Sequence, residues 1–252
     1  MGTPALWVGF NLCVLLILAI DLGLFNRKAH AITLREAAIW SAVWVTLSLS
    51  FNVWIFLAHG RQPGVEFLTA YLIEQSLSMD NIFVFLLIFR AFGVEPRFQH
   101  RVLFWGVLGA IVLRGTMIGL GTVLIQRFEW VLYLFGVFLL YVGAHMLIRG
   151  HEDFHPERNP LLRWARRIFP MAQTTQDEHF FVSERGRWAI TPLFLTLLVV
   201  ESSDVIFALD SIPAVFGITR QPFLVYTSNI CAILGLRSFY FLLSGSLSMF
   251  RY

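Results

Sequence analysis

Charge is scarce in this 252-residue chain: 14% of its residues are Asp, Glu, Lys or Arg, against about 25% in an ordinary soluble domain. With 57% hydrophobic residues and a mean hydropathy of +0.70, that scarcity excludes a water-soluble globule. Lysine is nearly missing, since Lys28 is the single lysine among 19 basic residues. The two cysteines, Cys13 and Cys231, both fall inside apolar runs, which excludes a disulfide framework and a cysteine zinc site. A glycine-rich phosphate loop with its lysine is also absent, so direct ATP use is not expected. The formal charge of +3 then reads as a topology signal and not as a nucleic-acid footprint.

What is present is a series of long apolar runs. One spanning helix needs about 20 apolar residues, and seven candidates emerge at residues 5–25, 37–57, 65–88, 102–125, 130–148, 189–215 and 223–250. The expected fold is therefore an all-α polytopic bundle forming one transmembrane domain in the lipid bilayer, with residues 149–188 as a polar loop. The second run is interrupted by Ser41, Thr46, Ser48, Ser50 and Asn52, although Trp40, Trp44 and Trp54 favour a membrane setting. The first run is followed by Ala29-His30-Ala31, which resembles a signal-peptidase site. No basic residue precedes that run, and Arg27 and Lys28 follow it, so an uncleaved helix with its N-terminus outside is expected.

The basic residues test the span count, because alternate connections lie on opposite faces. Arg27, Lys28, Arg35, Arg90, Arg97, Arg101, Arg149, Arg158, Arg163, Arg166, Arg167, Arg185, Arg187 and Arg251 fall on one face; Arg61, Arg127 and Arg220 fall on the other; Arg114 and Arg237 sit within spans. Fourteen against three places the first group, and the loop 149–188, in the cytoplasm. Within that loop Asn159-Pro160 and Phe169-Pro170 argue against one continuous helix.

Seven charged residues lie well inside the third, fourth, sixth and seventh spans: Glu74 and Asp80 in the third, Arg114 in the fourth, Glu201, Asp204 and Asp210 in the sixth, Arg237 in the seventh. At about 2.5 to 3.5 kcal/mol each they represent about 20 kcal/mol that partners, water or ions must offset. Salt bridges alone leave three of the five carboxylates unmatched, so the excess is protonated or shared with a cation. Hard oxygen ligands suit Mg²⁺, Mn²⁺ or Ca²⁺, and Ser78, Asn81, Ser202, Ser203, Ser211 and Asn229 add neutral oxygens nearby. A proton relay without metal is the alternative. Arg114 and Arg237 are each expected to pair with a member of the cluster as counter-ions, and Asp80 and Asp204 to converge on one site.

An internal repeat supports the cluster. Ser78-Met79-Asp80-Asn81-Ile82-Phe83 matches Ser202-Ser203-Asp204-Val205-Ile206-Phe207, and Leu113-Arg114-Gly115 follows the first much as Leu236-Arg237-Ser238 follows the second. The third and sixth spans run in opposite directions, so the copies are inverted, a recurring transporter architecture. The sixth span is expected to break at Asp210-Ser211-Ile212-Pro213 and free carbonyls there. Gly106-x-x-Gly109 and Gly115-x-x-x-Gly119 read as close-packing sites. His151-Glu152-Asp153-Phe154-His155 fits the zinc-protease pattern, but Pro156 follows at once, so a solvated loop is the better reading and no enzyme is expected.

Glu74-x-x-Leu77-Ser78-x-Asp80-Asn81-x-x-Val84-Phe85, the stretch from Thr191-Pro192-Leu193-Phe194 through Glu201-Ser202-Ser203-Asp204-Val205-Ile206-Phe207-Ala208-x-Asp210-Ser211-Ile212-Pro213-Ala214, and Tyr226-Thr227-Ser228-Asn229 together resemble the TerC/Alx family of integral membrane proteins. Ile20-Asp21-Leu22-Gly23 and Leu234-Gly235-Leu236-Arg237 match as well. The resemblance implies a bacterial inner-membrane protein related to the LysE group of exporters, with Mn²⁺ efflux as its activity and tellurite resistance as its historical name. It carries over Asp21, Glu74, Asp80, Glu201, Asp204 and Asp210 as the acidic positions. Taken with the residue reading, the expected metal ligands are Glu74, Asp80, Asn81, Glu201, Asp204 and Asp210, with Asp21, Arg114, Asn229 and Arg237 as counter-ion or gating residues. Mn²⁺ or another divalent cation is then the substrate, and no cofactor is expected. Members of the family continue for about two further spans, so a C-terminally shortened form is expected. A non-transporting scaffold whose cytoplasmic loop recruits stress-response partners is the competing function.

Overall fold

The computed structural model describes residues 2–20, 32–149, 160–168, 170, 179–184 and 187–249. Eight helices and one hairpin follow in order: α1 (Pro4–Ile20), α2 (Leu34–His59), α3 (Arg61–Ala91), α4 (Pro96–Arg127), α5 (Val131–Arg149), α6 (Pro160–Ile168), β1 (Phe181–Glu184), β2 (Arg187–Ile190), α7 (Pro192–Phe216) and α8 (Pro222–Met249). Five of them (α2, α3, α4, α7 and α8) are long and apolar enough to cross a membrane. At 1.5 Å per residue the 17 residues of α1 and the 19 of α5 reach about 26 and 28 Å, close to the hydrocarbon core of about 30 Å. On α5 Tyr133, Leu134, Val137, Leu140 and Tyr141 are exposed, a surface suited to lipid and not to water. The chain is an all-α, multi-pass, membrane-embedded bundle.

Local chemistry sets the helix ends. Thr33 caps α2 by accepting from the Glu36 amide at 3.3 Å, and Thr191 caps α7 by accepting from the Phe194 amide at 3.4 Å, each satisfying an amide that the first turn leaves open. Gly60 alone separates α2 from α3, at φ 95°, a backbone conformation that a side chain disfavours.

The helix ends alternate. The starts of α2, α4 and α7 and the ends of α3 and α8 share one apolar cluster that includes Ala37, Phe98, Leu193, Phe89 and Tyr240. At the opposite end Ile55, Phe67 and Leu224 meet, as do Ile125, Val131 and Phe216. Hence α3 and α7 run antiparallel, as do α4 and α8, which is the inversion that the repeat requires. Contacts run between the two pairs: α3 packs on α7 and α8, and α4 does the same, while α7 and α8 barely touch each other. Around this core α2 packs on α3 and α8, and α5 packs on α7.

Two expectations are corrected. The sixth span starts at Pro192 and not at residue 189, because Ala189 and Ile190 complete an antiparallel hairpin in which Phe181 pairs Ile190 and Val182 pairs Ala189. The expected break at Pro213 does not occur, since α7 runs unbroken to Phe216. A proline forfeits its amide bond to the carbonyl four residues back and its ring crowds that carbonyl, but here it stands one turn from the helix end, where the Gly217 amide reaches the Pro213 carbonyl at 3.1 Å. Pro160 opens α6 and Pro170 follows its end; Leu162 of this helix is buried in the cluster with Ile190 and Leu193. Asp21 and the rest of the first span beyond Ile20, the His151–His155 segment and Arg251 lie outside the described residues.

Candidate functional site

The four crossing helices each bring one polar side chain to a common point. Arg114 of α4 is fully buried. Its Nε and Nη2 donate to Oδ2 and Oδ1 of Asp204 on α7 at 3.0 and 2.7 Å, a bidentate clamp. Its Nη1 donates to Glu74 Oε1 on α3 and to Asn229 Oδ1 on α8, the latter at 3.2 Å. Paired charges of this kind can persist in a low-dielectric core where single ones cannot.

The point lies where the apolar core divides. On α7, Val199 and Val200 belong to the cluster at one end, and Ala208 and Ile212 to the cluster at the other; Asp204 stands between them. On α3, Glu74 stands between Ala70 and Ile82 in the same way. The Arg114 knot is thus a polar layer across mid-depth of the bundle.

The helices that form the knot bury more polar atoms than it satisfies. Glu74, Ser78 and Asn81, spaced four and three apart on one face of α3, are all buried. Glu74 Oε2, Ser78 Oγ, Asn81 Oδ1, Glu201 Oε2 and Ser211 Oγ have no hydrogen bond among the described residues. Glu201, nearly one turn before Asp204, lines with Asp204, Arg237 and Gly106 a cavity of about 20 Å³, room for one water-sized guest.

The expected ligands are not all assembled here. Asp80 is exposed, on a stripe of α3 with Leu72, Met79, Phe83 and Leu87, nearly opposite the face of Glu74, Ser78 and Asn81. The structure therefore does not bring Asp80 to Asp204. Asp210 is half-buried, about 9 Å further along α7 than Asp204 at 1.5 Å per residue. Among the described residues no three His, Cys, Asp or Glu side chains stand close enough to hold one metal ion, and the Arg114 guanidinium occupies the place between Glu74 and Asp204. Arg114 forms ion pairs with both Glu74 and Asp204. Arg237 Nη1 lies 3.3 Å from His100 Nε2, on the rim of the Glu201 cavity.

The sequence marks Gly109 as a close-packing site and nothing more. A Cβ there would collide with the Glu201 carboxylate, whose Oε2 lies 2.6 Å from that position. A Gly-x-x-Gly pair signals close approach of something, but not that a carboxylate is what approaches.

Comparison with known proteins agrees with the bundle. The model of the family described as "Integral membrane protein TerC family" matches residues 59–252. An "Uncharacterized membrane protein STKORF319" of Myxococcus xanthus is 49% identical over 252 residues, covering all of this chain and 79% of that protein. Proteins named "Putative membrane-bound redox modulator Alx" from Salmonella typhi and Escherichia coli (strain K12) are 52% and 51% identical over 264 residues, covering all of this chain and 82% of each. No solved structure matches. With more than three quarters of its length inside the family model and full-length relatives at about half identity, the chain belongs to the TerC family of integral membrane proteins.

Proposed function

We propose that the chain is a secondary exporter of a divalent cation, Mn²⁺ foremost, across the bacterial inner membrane, with its N-terminus outside and the loop carrying α6 in the cytoplasm. The observation that carries this reading is the surplus of buried oxygen at the crossing of two inverted helix pairs. Arg114 compensates Glu74 and Asp204, while Glu201 adds a further carboxylate beside a cavity of one-water size. Burying such groups without partners is unfavourable, and a hard cation answers an all-oxygen donor set. Glu201 and Asp204 are the first ligands available from the cavity, and the neutral oxygens of Ser78 and Asn81 follow on the buried face of α3, one and two turns beyond Glu74. Reaching a fuller set requires the guanidinium to move, so occupancy is coupled to the relative position of the α3–α4 and α7–α8 pairs, as alternating access demands.

The test is Mn²⁺ efflux from loaded proteoliposomes at matched protein amounts, repeated with Ca²⁺ and Mg²⁺. Glu201→Gln, which keeps shape and removes charge, is expected to lower Mn²⁺ efflux at least tenfold with the protein still folded. Unchanged efflux overturns the carboxylate site. The scaffold reading draws on Trp164, Ile168 and Trp188, which are exposed on α6 and the hairpin; it gains if the intact protein moves no cation.

A further inference from the structure

We propose that Gly109 is a positioning residue for Glu201, reserving the space in which this carboxylate stands beside the cavity; the proposal rests on the export reading above. If the Gly106-x-x-Gly109 face served only to bring helices together, the atoms nearest a Cβ at Gly109 would be backbone or apolar side chain of α7. They are instead the three atoms of the Glu201 carboxyl group, with Oε2 at 2.6 Å, inside van der Waals contact. At Gly106 the same carboxylate stands 3.9 Å from the Cβ position, an ordinary contact, so the restriction is local to Gly109. Gly119 on the same helix has nothing within 4 Å. The obstructed group is the far end of a flexible side chain, so a methyl group at Gly109 leaves α4 and α7 where they are and turns the carboxylate out of its place. The adjoining space is the cavity of about 20 Å³ that Glu201 shares with Asp204, so the displaced carboxylate occupies the volume assigned to the cation. A side chain at Gly109 therefore acts on ion affinity first.

The experiment measures Mn²⁺ efflux from proteoliposomes against internal Mn²⁺, together with thermal melting of the purified protein, for Gly109→Ala, Glu201→Asp, their double variant and Gly119→Ala. Gly109→Ala is expected to raise the half-saturating Mn²⁺ at least tenfold, with a smaller change in maximal rate, and Gly119→Ala to stay within twofold of wild type. Glu201→Asp withdraws the carboxylate by one carbon, about 1.5 Å. In that background adding Gly109→Ala is expected to change half-saturation less than twofold. Wild-type half-saturation in Gly109→Ala, or an equal penalty in both backgrounds, overturns the proposal. If the wild type or Glu201→Asp moves no Mn²⁺, melting decides the contact separately from the export reading. A fall in Tm on adding Gly109→Ala that is confined to the Glu201 background supports the positioning role, and an equal fall in both backgrounds overturns it.

Discussion

Arg114→Met removes the positive centre of the bundle while keeping a long, unbranched, apolar side chain in its place. The guanidinium makes four hydrogen bonds, two to Asp204, one to Glu74 and one to Asn229, and all of its partners are buried. Without it two carboxylates remain in the core with no compensating charge, and breaking a buried pair in this manner costs about 3 to 5 kcal/mol. In a chain of this size each kcal/mol is worth about 2–4 °C of Tm, so detergent-solubilised Arg114→Met is expected to melt on the order of 10 °C below wild type. The triple variant Arg114→Met/Glu74→Gln/Asp204→Asn deletes the two uncompensated charges as well. It should regain most of the loss, because the penalty comes from the abandoned carboxylates and not from the missing contact. A loss in Arg114→Met below about 1 kcal/mol, or a triple variant no more stable than the single one, would refute this account of the polar layer.

Tyr226 donates to Asn11 Oδ1 at 2.6 Å and so ties α8 to α1; Tyr226→Phe should cost about 0.5–1.5 kcal/mol, measured by melting, and should cost nothing further once Asn11→Leu is present. The orientation is checked with single exposed cysteines and a membrane-impermeant maleimide on whole cells. Gln62→Cys is expected to label from outside, and Trp164→Cys only after permeabilisation; the reverse pattern sinks the assigned topology.

The long apolar helices were legible because lipid demands about 20 apolar residues per crossing. The value of Arg114 was legible too, since a charge in that setting needs a partner. Which acids would meet it was not. Asp80 and Asn81 differ by one position, which is 100° around a helix, and the rotation of α3 is fixed by its packing on α7 and α8, which no local pattern reports. The face that turns inward is Glu74, Ser78 and Asn81, and the more conspicuous aspartate turns out. The hairpin escaped notice because each strand is four residues long inside a mixed-charge loop, too short for alternation to stand out. Proline at Pro213 misled for a different reason: its effect depends on distance from the helix end, and one turn from Phe216 little helix remains for it to disrupt.

The wiring of the Arg114 knot also sets an order of assembly during synthesis. Asp204 lies 90 residues after Arg114, a delay of about 5–18 s at 5–20 residues per second. Throughout that interval α4 must reside in the membrane with its guanidinium lacking the bidentate partner. Glu74, 40 residues upstream, is already in place when α4 enters, so the nascent chain carries its own provisional counter-ion across the translocon. The later arrival of α7 and then α8 converts a two-helix ion pair into a four-helix crossing. A ribosome stalled before α7 should leave a protein that is inserted but easily extracted or degraded, and one stalled after α8 should leave a resistant core.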